Sequence, residues 1–278
     1  VVMWMVQDYL LYAAPHFSIT EARRLAGQYG LAAYVPAQGA GDGSSWENVA
    51  YLMVQPPPSR NGMPGRSRGT IIFAHGNSGS ALHCDRLSKA MEPLGFRVIL
   101  YEYPGYGSNP GKPGEEANVV PLRKLVRTVA AEGSGDSSRV YLFGQSMGCG
   151  VVCSALRDKM LPVSGVILLQ PWDTLAGVAG SQYPFLPVSL IVGGKYDSLT
   201  NLAEFSRARA AESGQPAVPV SFITCANDRT IPPGLSRRVY DAYPGPKLWI
   251  QHPNCGHGNW PSKPELEWWK TVTDFVSR

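Results

Sequence analysis

The stretch from Val140 to Leu156 restricts the folds open to this chain more than any other. Val140 to Phe143 is a short apolar run, Gly144-Gln-Ser-Met-Gly148 interrupts it, and Val151, Val152, Ala155 and Leu156 then recur at helical spacing. A buried strand turning directly into a helix puts Ser146 at the corner, in a strained backbone conformation with its hydroxyl aimed into a cleft. Glycine suits positions 144 and 148 because the backbone passes too close there for a Cβ. The helix that starts at Met147 points its first N–H groups at the space above the serine, where negative charge can be held. Five-residue patterns with three fixed positions also occur by chance. The flanking strand and helix are what make Ser146 a candidate nucleophile.

The surrounding chain predicts the same architecture. Residues 1 to 28 read as helix in two pieces broken near Pro15, with Ser18 or Thr20 as N-cap, and Leu31 to Ala37 and Asn48 to Val54 read as two strands joined by a hairpin-type turn. Residues 56 to 69 read as a basic surface loop. Beyond it, strand and helix alternate. Expected strands cover Thr70 to Ala74, Phe96 to Tyr101, Val140 to Phe143, Val163 to Leu169, Val218 to Thr224 and Lys247 to Gln251. Helices are expected at Ala81 to Met91, Glu115 to Glu132, after Ser146, Leu199 to Ala211, Pro233 to Tyr243 and Pro264 to Val276. The expected fold class is α/β: one mostly parallel sheet of about eight strands with helices on both faces, forming a single domain over 29–278 with a small cap near 170–200. Reactive residues then belong on loops at the carboxyl ends of the strands.

Composition narrows the function classes. A chain of 278 residues, 44% hydrophobic and 17% charged, can bury a full core, and a net charge of +4 without a basic stripe argues against nucleic acid as a partner. The five cysteines show no metal-type spacing, so no metal site is expected, and their odd number favours free thiols and a reducing compartment. Val1 to Val6 is apolar but far too short to span a bilayer. It reads either as the tail of a removed anchor or signal segment, or as an amphipathic first helix packed on the domain. Membrane association and a cytoplasmic setting both stay open, as does the oligomeric state.

A serine hydroxyl needs a base, and the base needs an acid to orient it. Of five histidines only His252 and His257 follow Ser146. His257, flanked by Gly256 and Gly258 after the last strand, is the expected base, and His252 is assigned to local packing. Asp228, after the preceding strand, is the expected acid, with Asp173 as its rival and Asp197 assigned to capping or a salt bridge. An oxyanion hole needs a second N–H besides that of Met147. The loop His75-Gly76-Asn77 supplies one at Asn77, and His75 is expected to make structural hydrogen bonds. Trp172, Tyr183 and Phe185, with Leu186 and Leu190, are candidates for an apolar substrate pocket under the cap. Cys225 and Cys255, close before Asp228 and His257, are expected to be buried thiols, the alternative being a disulfide that braces the two loops.

Four stretches together, His75-Gly-Asn-Ser-Gly79, Tyr101-Glu-Tyr-Pro-Gly-Tyr-Gly107, Gly144-Gln-Ser-Met-Gly148, and Asn227-Asp-Arg-Thr-Ile-Pro with Gly256-His257, resemble the α/β-hydrolase superfamily of serine hydrolases. With Lys195-Tyr-Asp-Ser-Leu199 the likeness is nearest to its small-lidded branch of membrane-anchored lipid hydrolases and protein depalmitoylases. The resemblance implies hydrolysis of an ester, thioester or lipid ester through an acyl-enzyme, without a cofactor. The chain departs from the branch at Glu102, where aspartate is usual, at Pro104, and at Trp172-Asp173. Those loops line the cleft, so the departures bear on substrate identity. Acyl transfer or peptide cleavage on the same three residues, or a non-catalytic scaffold of the same fold, are the competing functions.

Overall fold

The computed structural model describes residues 11–34, 51–54, 67–188, 192, 196–212, 214, 216–260 and 266–278, so the expected turn at 39–43, most of the basic loop at 56–69 and the apolar residues 1–6 lie outside the described residues. Eight strands form one sheet: β1 (Ala32–Tyr34), β2 (Tyr51–Val54), β3 (Thr70–Ala74), β4 (Arg97–Tyr101), β5 (Val140–Gln145), β6 (Gly165–Leu169), β7 (Val220–Cys225) and β8 (Lys247–His252). Their spatial order is β1-β2-β4-β3-β5-β6-β7-β8. Strand β2 pairs antiparallel with both neighbours, and β3 to β8 are parallel. The described helices are α1 (Ile19–Tyr29), α2 (Asp85–Met91), α3 (Glu115–Glu132), α4 (Met147–Ala155), α5 (Leu175–Gln182), α6 (Ser198–Glu212), α7 (Pro233–Ala242) and α8 (Leu266–Val276).

Burial on both faces explains the continuous apolar runs of the central strands. On one face Ile72, Ile99, Leu142, Val166 and Phe222 pack with residues of α3, α4, α6 and α7. On the other, Ile71, Val98, Phe143, Ile167 and Ile223 pack with residues of α1, α2 and α8. Adjacent residues of a strand thus enter opposite cores, as the twofold side-chain alternation of a strand requires.

Local chemistry sets the element ends. Ser18 caps α1 by accepting the N–H of Glu21, and Gly30 closes that helix in the left-handed conformation. The expected helix at Ala81 to Met91 is split into a 3₁₀ turn at Ala81–Cys84 followed by α2. Helix α5 was not expected. Its Gly177 and Gly180 lower helix propensity, and it starts because the Thr174 hydroxyl accepts the N–H of Gly177. Among the described residues no helix is long and apolar enough to cross a membrane.

Candidate active site

Strand β5 ends at Gln145, α4 begins at Met147, and Ser146 between them sits at φ 52° and ψ −115°, inside the region that side chains rarely adopt. Three bonds hold it there: its N–H donates to the Leu169 carbonyl, and its own carbonyl accepts from the N–H of Cys149 and from Trp172 Nε1. The flanking glycines are sterically required. A Cβ on Gly148 would lie 1.9 Å from the Ala74 carbonyl oxygen, and one on Gly144 would lie 2.6 Å from the carbonyl oxygen of Gly148. The helix therefore rests its backbone directly on the end of β3.

Ser146 Oγ lies 2.9 Å from His257 Nε2, and His257 Nδ1 lies 2.8 Å from Asp228 Oδ2. The other carboxylate oxygen, Oδ1, accepts the N–H groups of Thr230 and Ile231, which sets the plane of the acid. Asp228 is buried and His257 is partly open to solvent. The structure thus brings the expected serine, histidine and acid into one chain of hydrogen bonds. Asp173, the rival acid, is engaged elsewhere: it accepts from Arg238 Nε at 2.7 Å and from the N–H of Thr174. Asp197 accepts the N–H of Thr200 at the start of α6, and His252 packs on the Trp268 ring.

One expectation is overturned. Cys225 and Cys255 are not separate thiols; they form a disulfide with a Cα–Cα separation of 5.0 Å. The cause is the parallel pairing of β7 with β8, which sets Cys225 opposite His252 and lets the following turn carry Cys255 back to it. Asn227 N–H donates to the Cys255 carbonyl, so acid and histidine loops are joined twice. Cys84, Cys149 and Cys153 are in no disulfide. Burial pushes the Cys149 thiol up, and it stays a donor to the carbonyls of Gly144 and Leu169.

The loop after β3 is held by the residues after β4. Tyr103 hydroxyl donates to the His75 carbonyl at 2.7 Å and Tyr106 hydroxyl to the Asn77 carbonyl at 2.9 Å. Burial raises both phenols, so they remain protonated donors. His75 bridges the Gly76 carbonyl, through Nδ1, and Glu102 Oε1, through Nε2, while Glu102 Oε2 accepts the N–H of Ala81. His75 thus makes the structural bonds expected of it. With the carbonyls of residues 75, 76 and 77 all tied back, the loop passes close to the nucleophile: a Cβ on Gly76 would lie 3.7 Å from Ser146 Cβ.

Of the three pocket candidates, the structure buries Trp172 behind the elbow, its ring against the α4 backbone at Gly150 and edge-on to Tyr196. Tyr183 and Phe185 are exposed, Phe185 at 95%, in the turn after α5. Two further residues, one without a sequence signal and one noted only as a departure from the family pattern, touch the site. Gln170, just past β6, donates from Nε2 to the carbonyls of Gly256 and His257, and Glu102 braces the loop beside Ser146. Glutamine after a strand is too common to mark, so only the fold could reveal the first.

Comparison with known proteins agrees with this architecture. The family model described as alpha/beta hydrolase fold matches residues 69–187. An uncharacterized protein of Mycobacterium tuberculosis is 28% identical over 214 residues, which cover 77% of this chain and 70% of the relative. The lysophosphatidylserine lipase ABHD12 of Gallus gallus is 31% identical over 126 residues, 44% of this chain but only 32% of the lipase. Among solved structures, an esterase of Pyrococcus furiosus superposes with a TM-score of 0.62 at 17% identity, covering 91% of this chain and 95% of the esterase. The order of the sheet, the corner at Ser146 and these likenesses show that the chain has the α/β-hydrolase fold.

Proposed function

We propose that this protein is a serine hydrolase of carboxylic esters that works through an acyl-enzyme on Ser146. The observation that carries the reading is the continuous chain from Ser146 Oγ through His257 to Asp228, with both links under 3 Å. His257 Nε2 takes the hydroxyl proton as Oγ attacks the ester carbonyl, and Asp228 stabilises the imidazolium through the Nδ1–H. The tetrahedral oxyanion is held by the N–H groups of Met147 and Asn77, the first at a helix N-terminus, the second on a loop whose carbonyls are turned away. His257 then protonates the leaving alcohol, and water repeats the sequence to release the acid.

The substrate class is a small-molecule or lipid ester, with thioesters within the same chemistry. The exposed apolar turn Tyr183-Pro-Phe-Leu186 supports a lipid-like acyl group, because it adjoins the acid loop: Gln182 Nε2 donates to the carbonyls of Arg229 and Thr230, next to Asp228. Trp172, by contrast, serves the elbow from behind.

Turnover of p-nitrophenyl esters of increasing acyl length, measured for the wild type and Ser146→Ala, tests the reading. Wild-type turnover should fall by about 10⁴-fold or more in the variant. A long-chain optimum would select lipid or acyl-protein esters, and a short-chain optimum a general esterase. If no ester is cleaved and a serine-reactive phosphonate fails to label Ser146, the proposal is wrong.

A further inference from the structure

Four consecutive residues after β6, Gln170-Pro-Trp-Asp173, reach both ends of the Ser146–His257 hydrogen bond. Gln170 Nε2 donates at 3.2 Å to the Gly256 carbonyl and at 3.3 Å to that of His257. Trp172 Nε1 donates at 2.9 Å to the carbonyl of Ser146. Both side chains are almost fully buried. We propose that Gln170 and Trp172 are positioning residues: a single turn clamps the main chain of the nucleophile and the main chain of the base, and so fixes the Oγ–Nε2 distance. This rests on the serine-hydrolase reading.

The turn is suited to the task because it is itself anchored. Gln170 adopts a left-handed φ of 56°, and its N–H donates to the Ile223 carbonyl at 2.7 Å. Ser236 hydroxyl, from α7, donates to the Pro171 carbonyl, and Arg238 of the same helix grips the Asp173 carboxylate. The Asp173 carbonyl accepts the N–H groups of Ser198 and Leu199, at the start of α6. Sheet and two helices therefore hold the turn, and it adds a common anchor to two segments that are otherwise held separately, Ser146 by its own N–H and the elbow helix, His257 by the disulfide at Cys255.

Each of those segments has a reason to drift. Ser146 sits in a conformation that a non-glycine residue leaves if released, and among the described residues its carbonyl accepts from the Cys149 N–H and the indole. His257 stands between two glycines, which give its loop unusual freedom. The chemistry also fixes which way the amide of Gln170 points. Facing two carbonyl oxygens, it presents its NH₂ group, since the reverse orientation would set three oxygens against one another. Trp172 meets the same need with a donor on a ring too large to move, its edge wedged against the backbone of Gly150.

Two variants test the clamp. Gln170→Asn keeps tolerance of the left-handed conformation but shortens the side chain by one methylene, and Trp172→Phe keeps a buried ring while removing the donor. Each is expected to lower kcat on the preferred p-nitrophenyl ester about 10- to 100-fold while KM stays within about twofold, since an ångström of misplacement acts on the chemical step. A second readout does not depend on turnover: the downfield proton NMR signal of His257 Nδ1–H, held by Asp228, should broaden or vanish in both variants. Unchanged kcat with an unchanged signal in a folded variant, or a raised KM with kcat intact, overturns the clamp. If the wild type cleaves no ester, the NMR signal decides alone: its loss in the variants upholds the clamp while the ester reading fails, and its persistence removes both. Should Gln170→Asn not fold, Trp172→Phe is read by the same two measurements.

Discussion

At the scale of single residues, the site depends on places where a side chain is forbidden as much as on those where one acts. Besides its three hydrogen bonds, Ser146 depends for its strained φ on the elbow helix lying flat on β3, and that contact exists because residue 148 has no Cβ. Gly148→Ala would drive a methyl group to 1.9 Å from the Ala74 carbonyl oxygen, backbone against backbone, with no flexible side chain to give way. The expected result is a loss of about 3 kcal/mol or more in urea unfolding, together with lost phosphonate labelling of Ser146. Gly234→Ala is the control. It lies in α7 with open space around it, so the same substitution should be neutral or stabilising by up to about 1 kcal/mol. Equal losses in the two variants would show that the elbow contact is not what matters.

Between elements, the pairing of β7 with β8 does for the acid and the base what the elbow does for the serine. Asp228 and His257 lie just beyond the two cysteines of one disulfide, and the Asn227 N–H adds a hydrogen bond to the Cys255 carbonyl. Replacing both cysteines with alanine should cost about 2–4 kcal/mol, chiefly by freeing the unfolded chain. It should also lower turnover more than stability alone would, because the two loops lose a common brace. Chemical denaturation beside steady-state kinetics, with and without a thiol reductant, separates the two effects. The disulfide is immaterial to the site if reductant leaves kcat of the folded protein unchanged.

At the scale of the whole molecule, the partly buried His252 ties stability to pH. His252 ends β8 with its ring against Trp268 of α8, and burial lowers its pKa below the ordinary value of about 6.5. The unfolded chain therefore binds a proton at His252 more readily than the folded one. Stability from this group is complete above about pH 6.5 and declines as pH falls through the unfolded pKa, levelling off below the lower, folded value. His252→Gln should flatten the slope of unfolding free energy between about pH 5 and 7 relative to wild type. Urea titrations at a series of pH values read it directly, and parallel slopes in the two proteins would rule the assignment out.

What the sequence determined is the part that local pattern encodes. Strand β3, helix α3 and the boundaries of β4 to β8 to within a few residues follow from continuous apolar runs and helical periodicity, because those patterns answer directly to burial on two faces. Chain order and turn chemistry singled out Ser146, Asp228 and His257, and tertiary structure set them within hydrogen-bonding distance. Three features belonged to tertiary structure alone. Helix α5 forms despite two glycines, because Thr174 caps it beside the anchored Asp173. Cys225 and Cys255 are 30 residues apart, and only the parallel register of two strands says whether they meet. The bonds from Gln170 and from Trp172, which the sequence offered only as a pocket candidate, go to main-chain carbonyls, and a carbonyl leaves no trace in a sequence.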